Sequence, residues 1–106
     1  MKLLFDQGTP VPLRGYLPHH TVETAYEKGW NNLNNGDLLT RAEAEGFGVL
    51  ITTDQNLPYQ QNLRGRKISV VVLLTTSWPR IKNHTDLVSQ IIDNLQAGSY
   101  EEISFP

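Results

Sequence analysis

The chain has 106 residues, which is enough for one ordinary domain and leaves little room for a second. Its hydrophobic fraction of 39%, charged fraction of 19% and formal net charge of -2 are typical of a soluble globular protein and exclude a disordered or fibrous chain. No apolar run approaches the roughly 20 residues that a membrane-spanning helix needs, and the first residues do not resemble a signal peptide. Cysteine is absent, so any bound metal must have oxygen or imidazole ligands. We expect one cytoplasmic domain over residues 1–106, with no membrane association.

Short elements are predicted in the first third of the chain. Residues 2–5 form an apolar strand, and the turn-forming residues 6–10 end it. Two prolines and a glycine restrict the helix predicted over residues 11–17 to a short and weak one. A second strand is predicted over residues 21–25, followed by a turn or a helical stub.

The middle of the chain contains the predicted central strands. The asparagine-rich residues 31–36 form a loop, and Asn35 is expected to cap a helix over residues 36–45. Residues 48–53 and 68–74 are β-branched and apolar without polar alternation, as in strands that are buried on both faces. These two segments should therefore lie in the middle of a sheet.

A strongly amphipathic helix is predicted near the end of the chain, between Thr85 as N-cap and Gly98 beyond its last turn. Its apolar face consists of Leu87, Val88, Ile91, Ile92 and Leu95. Residues 100–104 can add an edge strand. Because strands alternate with helices, the sequence predicts a single-domain three-layer α/β/α sandwich with a mainly parallel sheet of about five strands, joined by right-handed crossovers.

Two aspartates follow predicted strands directly. Asp6 comes after the first strand and Asp54 comes after the strand over residues 48–53. Ligands of open parallel sheets bind outside the carboxyl ends of the strands, so these carboxylates converge if the two strands are neighbours. Asp37 lies in the first turn of the helix that precedes the Asp54 strand. The long loop before that helix leaves open whether Asp37 lies near the other two aspartates.

Converging carboxylates need compensation, because two like charges about 4 Å apart repel by ~4 kcal/mol at an effective dielectric near 20. They either take up protons or bind a hard divalent cation, and oxygen ligands favour Mg²⁺ or Mn²⁺. Such an ion suits phosphodiester hydrolysis. Each acid also has a structural explanation: Asp6 as a turn residue, Asp37 as a first-turn acid favoured by the helix dipole, and Asp54 as an Asx turn after a strand.

Three segments of the chain form a combination of motifs: Met1–Pro10 (MKLLFDQGTP), Asn35–Leu39 (NGDLL) and Glu45–Leu57 (EGFGVLITTDQNL). Together they resemble a family of small prokaryotic PIN-like proteins, which are relatives of the VapC-type toxin ribonucleases. The resemblance implies an α/β/α sandwich in which Asp6, Asp37 and Asp54 are catalytic and bind Mg²⁺ or Mn²⁺. Single-stranded RNA is the implied substrate, and a cognate antitoxin is the implied partner.

The chain departs from the family pattern in two places. Gly8 stands where the opening motif of the family usually carries asparagine, so a polar group beside the first acid is missing. Larger PIN nucleases have a fourth acid late in the chain, and neither Asp86 nor Asp93 lies in a matching motif.

Polar residues near the acids are candidates for contacts with the phosphates and bases of an RNA strand. The candidate substrate-binding residues are Gln7, Thr53, Asn56, Gln60 and Arg64. A solvated polar loop is the alternative explanation for the residues after Asp54.

The leading functional hypothesis is a metal-dependent endoribonuclease that is the toxin of a toxin–antitoxin pair, with a homodimer as a further expectation. A catalytically inactive PIN-like binding module is the first alternative, and the missing asparagine favours it. A receiver-like phosphoacceptor domain is the second, because Asp54 ends one strand and Thr75 or Thr76 ends the next. Receivers carry paired acids after the first strand and a Lys-Pro near the last, and this chain has neither.

Overall fold

A computed structural model describes all residues from 1 to 106 and contains one sheet of five parallel strands in the order β2-β1-β3-β4-β5. The strands are β1 (Lys2–Phe5), β2 (Thr21–Thr24), β3 (Val49–Thr52), β4 (Ser69–Leu73) and β5 (Tyr100–Ile103). The helices are α1 (Asn35–Ala44), α2 (Leu57–Gln60), α3 (Trp78–Lys82) and α4 (Thr85–Asp93), and a 3₁₀ helix covers Val11–Tyr16. The predicted three-layer α/β/α fold is confirmed. The longest helix has ten residues, and no helix can span a membrane.

Strand burial explains the sequence pattern of the sheet. Every residue of β3 and β4 is buried, because helices cover both faces of the sheet at its centre. In the register of the sheet, Phe5 at the end of β1 lies between Thr24 of β2 and Ile51 of β3. The carboxyl ends of these three strands are therefore level with one another.

Alternate residues of the central strands pack into two separate cores. On one face the core contains Leu3, Phe5, Leu13, Leu17, Val49, Ile51, Val71, Leu73, Ile81, Val88, Ile92, Ile103 and Phe105, contributed by the 3₁₀ helix, α3, α4 and the strands. On the other face it contains Leu4, Ala25, Trp30, Leu38, Leu39, Ala42, Phe47, Leu50, Leu57, Ile68, Val70 and Val72, with α1 and α2 as the covering helices. Each fully buried aliphatic side chain contributes about 1.5–3 kcal/mol.

The crossover from β4 to β5 has the opposite hand to the other three. The connections from β2 to β3 and from β3 to β4 run over the α1 face in one direction along the sheet, and the connection from β1 to β2 runs over the opposite face in the reverse direction. These three therefore share one hand. The connection from β4 to β5 contains α3 and α4 and runs in the first direction along the sheet. These two helices nevertheless contact the 3₁₀ helix, which lies on the opposite face from α1. The expectation of right-handed crossovers throughout is therefore not met.

The ends of α1 differ from the sequence prediction by one asparagine. Asn34 is the N-cap, and its side-chain oxygen accepts the backbone N–H of Asp37 at 2.8 Å. Asn35 is the first residue inside the helix, so its side chain is free for another role. The short helix α3 was not predicted: Ser77 caps it, and Pro79 lies in its first turn, where the missing N–H of proline costs nothing.

Candidate functional site

The topological switch point of the sheet lies between β1 and β3, because the chain leaves these neighbouring strands in opposite directions. Asp6 follows β1, and Asp54 follows β3 by two residues. Both line one cleft of about 230 Å³ between the ends of these strands and the start of α1. The predicted convergence of these two side chains on one cleft is therefore observed.

Three neighbouring groups form hydrogen bonds with the Asp6 carboxylate. Its Oδ1 accepts the backbone N–H of Gly8 at 3.1 Å and lies 2.9 Å from the Thr9 hydroxyl, and its Oδ2 accepts the Thr52 hydroxyl. Burial raises the pKa of Asp6 above its ordinary value, although these hydrogen bonds act in the other direction. The site thus contains a carboxyl group that takes up a proton more readily than an exposed aspartate.

The Thr9 hydroxyl shows where a proton on Asp6 would be accommodated. It has one hydrogen but two acceptors within reach, the carboxylate Oδ1 at 2.9 Å and the main-chain oxygen of Ile51 at 2.7 Å. A proton on Asp6 Oδ1 could be donated to Thr9, whose own hydrogen would then be free for Ile51. The arrangement therefore accommodates both the ionised and the protonated form of Asp6.

Asp54 is fixed by an independent set of bonds. Its Oδ1 accepts the backbone N–H of Asn56 at 2.9 Å, which closes an Asx turn. Its Oδ2 accepts the side-chain amide of Asn35 at 3.1 Å, which comes from the first turn of α1. The carboxylate is thereby oriented from two sides.

Thr52 connects the two aspartates. Its hydroxyl donates to the Asp6 carboxylate and accepts the backbone N–H of Asp54 at 3.0 Å, and its side chain is completely buried. Thr52, Thr9 and Asn35 were not identified as site residues from the sequence. The sequence feature that could have identified Thr52 is its hydroxyl at the end of an otherwise apolar strand, since a buried hydroxyl needs a hydrogen-bond partner.

Asp37 lies outside the cleft. It is exposed in the first turn of α1 and is not among the residues that line the space between the other two aspartates. No group of three or more histidine, aspartate or glutamate side chains is arranged to hold a metal ion. Asp6 and Asp54 each accept the backbone N–H of the residue two positions further on, and Asp37 lies in the first turn of α1, so each aspartate also has a local structural role.

The predicted substrate-binding residues fall into two groups. Gln7 and Thr53 line the cleft, and the Gln7 side-chain amide donates to the main-chain oxygen of Asn31 at 2.6 Å. The other three are exposed on the segment that follows Asp54 and do not line the cleft: Asn56, Gln60 and Arg64. Only the first group is brought together with the aspartates.

Gly8 packs directly against the Thr53 side chain. A Cβ on residue 8 would overlap the Thr53 hydroxyl oxygen, whereas the next nearest atoms, at 3.7 and 3.8 Å, are in ordinary contact range. Gly8 therefore makes room for this hydroxyl. The space of the missing side chain is occupied rather than empty.

The donor set of the cleft fits one magnesium or manganese ion held mainly by water. Asp6 Oδ2 and both oxygens of Asp54 each accept one protein hydrogen bond, so each retains a lone pair. Magnesium is usually bound by one or two carboxylates and keeps several water ligands. Two aspartates are enough for such a site, although they do not form an all-protein cage.

No protein-family model, no curated protein and no solved structure matches this chain. Its function is consequently inferred from the cleft itself and from the motif resemblance described above.

Proposed function

We propose that the chain is a PIN-like, divalent-metal-dependent endoribonuclease whose centre contains Asp6 and Asp54. The observation that carries this proposal is the presence of both carboxylates in one cleft at the switch point of a parallel sheet. Their connection through Thr52 supports it, because groups that hold a metal ion are typically oriented by a further shell of hydrogen bonds.

Asp6 and Asp54 would hold Mg²⁺ or Mn²⁺, which when bound supplies an activated water and stabilises negative charge on a phosphoryl oxygen. Thr52 and Asn35 keep the two carboxylates oriented toward the cleft. Because burial raises the pKa of Asp6, a proton competes with the metal ion for this carboxylate, since a ligating carboxylate must be ionised.

Gln7 and Thr53 would orient the phosphodiester in the cleft. Gln7 donates one amide hydrogen to a main-chain oxygen, which leaves its second amide hydrogen available. The Thr53 hydroxyl lines the same space and is a further donor. Single-stranded RNA as the substrate, the toxin role and the antitoxin partner are proposed from the motif resemblance.

The direct test is cleavage of single-stranded RNA by the purified protein in the presence of Mn²⁺, with Mn²⁺ binding measured by calorimetry. Asp54→Asn should bind Mn²⁺ at least about 100-fold more weakly, since even the partners of metal ligands contribute about 10–100-fold. Asp37→Asn is the matched control, because this aspartate is exposed outside the cleft. Unchanged cleavage by Asp54→Asn would show that the site is assigned wrongly. Loss of cleavage in Asp37→Asn would indicate a three-acid centre instead.

A binding module without catalytic activity is the second candidate. The exposed position of Asp37 favours it, because the cleft then contains two carboxylates rather than the three that the resemblance implies. Binding of Mn²⁺ and RNA without cleavage would identify this alternative.

The strand order supports the receiver hypothesis, since receiver domains also have the order 2-1-3-4-5. The residues directly after β5 are Ser104, Phe105 and Pro106, so the lysine that receivers carry near their last strand is absent from this position. An acid-stable, base-labile adduct on Asp54 after incubation with a small phosphoryl donor would be required to support it.

A further inference from the structure

The cleft lined by Asp6 and Asp54 is the first of two, and a second cleft adjoins it on the side of the 3₁₀ helix. It has a volume of about 520 Å³ and lies between this helix and the carboxyl end of β2. Asp6 and Gln7 line both clefts and form the wall between them. Any polymer that places a phosphate in the first cleft therefore has a neighbouring group within reach of the second.

Two exposed side chains provide apolar surface on the walls of the second cleft. Tyr26 is 76% exposed and Val11 is 54% exposed, although both lie on its walls. Exposed aromatic rings beside a polar groove are the surfaces on which nucleic-acid bases stack. A ligand with a flat apolar face would bury surface here that the folded chain leaves in water.

The arginine and the glutamate of the second cleft are already paired with each other. The Arg14 guanidinium donates to both Glu27 oxygens, at 2.7 and 3.2 Å, and the backbone N–H of Thr24 donates to the same carboxylate at 3.0 Å. The bond from Arg14 is also the main reason that the pKa of Glu27 is lowered. Because this arginine is committed, the second cleft offers no free cation to a phosphate and suits an uncharged planar group better.

We propose that the second cleft binds a nucleobase of single-stranded RNA, stacked on Tyr26, in the nucleotide next to the phosphate held between Asp6 and Asp54. This subsite rests on the proposed ribonuclease function and adds to it the place where the RNA strand leaves the metal centre. The relative sizes agree with this division, since the smaller cleft accommodates an ion with a phosphate group and the larger one accommodates a base. Stacking is tolerant of sequence because every base has an aromatic face.

The test measures the affinity of a labelled RNA octamer by fluorescence anisotropy, with Ca²⁺ replacing Mg²⁺ and a gel confirming that the RNA stays intact. Tyr26→Ala should weaken binding by about 5- to 150-fold, the range expected for loss of one base-stacking contact. Tyr26→Phe should bind like the wild type because it keeps the ring. Tyr59→Ala is the matched control: this residue is 84% exposed on α2, and it lines neither cleft.

A second series replaces each nucleotide of the octamer in turn by an abasic one. One position should weaken binding to the wild type and have no effect on Tyr26→Ala, which identifies the stacked base. If the wild type binds RNA and Tyr26→Ala binds it equally well, the subsite is wrong while the ribonuclease proposal stands. If the wild type binds no RNA with Ca²⁺, Mg²⁺ or Mn²⁺, both proposals are wrong.

Discussion

The fit between Gly8 and Thr53 can be tested by a double-mutant cycle. In Gly8→Ala the new Cβ overlaps the Thr53 hydroxyl oxygen, and the branched threonine side chain has little freedom to rotate away. Overpacking of this kind costs about 1–3 kcal/mol, and the loss of chain entropy in the unfolded state offsets about 0.4–1 kcal/mol of it. We expect a net loss of roughly 1–2 kcal/mol, with each kcal/mol lowering the melting temperature by about 4–8 °C.

The same substitution should have the opposite effect once the hydroxyl is removed. In the Thr53→Ala background, the nearest remaining atoms are the Cβ of residue 53 at 3.7 Å and Asp6 Oδ1 at 3.8 Å, which are ordinary contacts. Gly8→Ala should then stabilise the protein by about 0.4–1 kcal/mol. Urea unfolding of the four proteins gives the interaction energy. If Gly8→Ala has the same effect in both backgrounds to within about 0.5 kcal/mol, the two residues are independent and the described fit is refuted.

Two further predictions concern pH and the neighbouring asparagines. Because burial raises the pKa of Asp6 from its ordinary value of 3.8, the folded state holds this proton more tightly than the unfolded state; stability without metal should fall as pH rises from 3.8 through the raised value. Urea titrations should show that Asp6→Asn lacks this component, and an identical pH profile would contradict the assignment. Asn34→Ala should cost about 1 kcal/mol of stability through loss of the helix cap, with Mn²⁺ affinity unchanged. Asn35→Ala should instead leave stability nearly unchanged and lower Mn²⁺ affinity by about tenfold, because its amide orients Asp54; equal effects of the two substitutions on both measurements would argue against these separate roles.

The sequence predicted the sheet because its signals are local. Continuous apolar runs such as Val70–Leu73 need burial on both faces, and alternation of strands with helices leads to parallel pairing. The placement of Asp6 and Asp54 at one edge followed from this, once β1 and β3 proved to be neighbours. The general position of the candidate site therefore followed from chain order together with the pairing of β1 and β3, which the structure supplies.

The details of the cleft depended on information that a single sequence does not contain. In the run from Asn34 to Asp37, two adjacent asparagines are both suitable caps, and a shift of one residue decides which amide reaches Asp54. The bridge through Thr52 requires the register between β1 and β3. The hand of the last crossover depends on which face α3 and α4 cover, which is a property of packed layers rather than of any segment.

The reversed hand of that crossover also affects how the protein is made. Much of the cover of Leu3 and Phe5 comes from α3 and α4, which are translated long after β1. A sheet that began to form before these two helices were made would expose this face to the solvent as an apolar surface. Chaperones or neighbouring nascent chains bind surfaces of this kind.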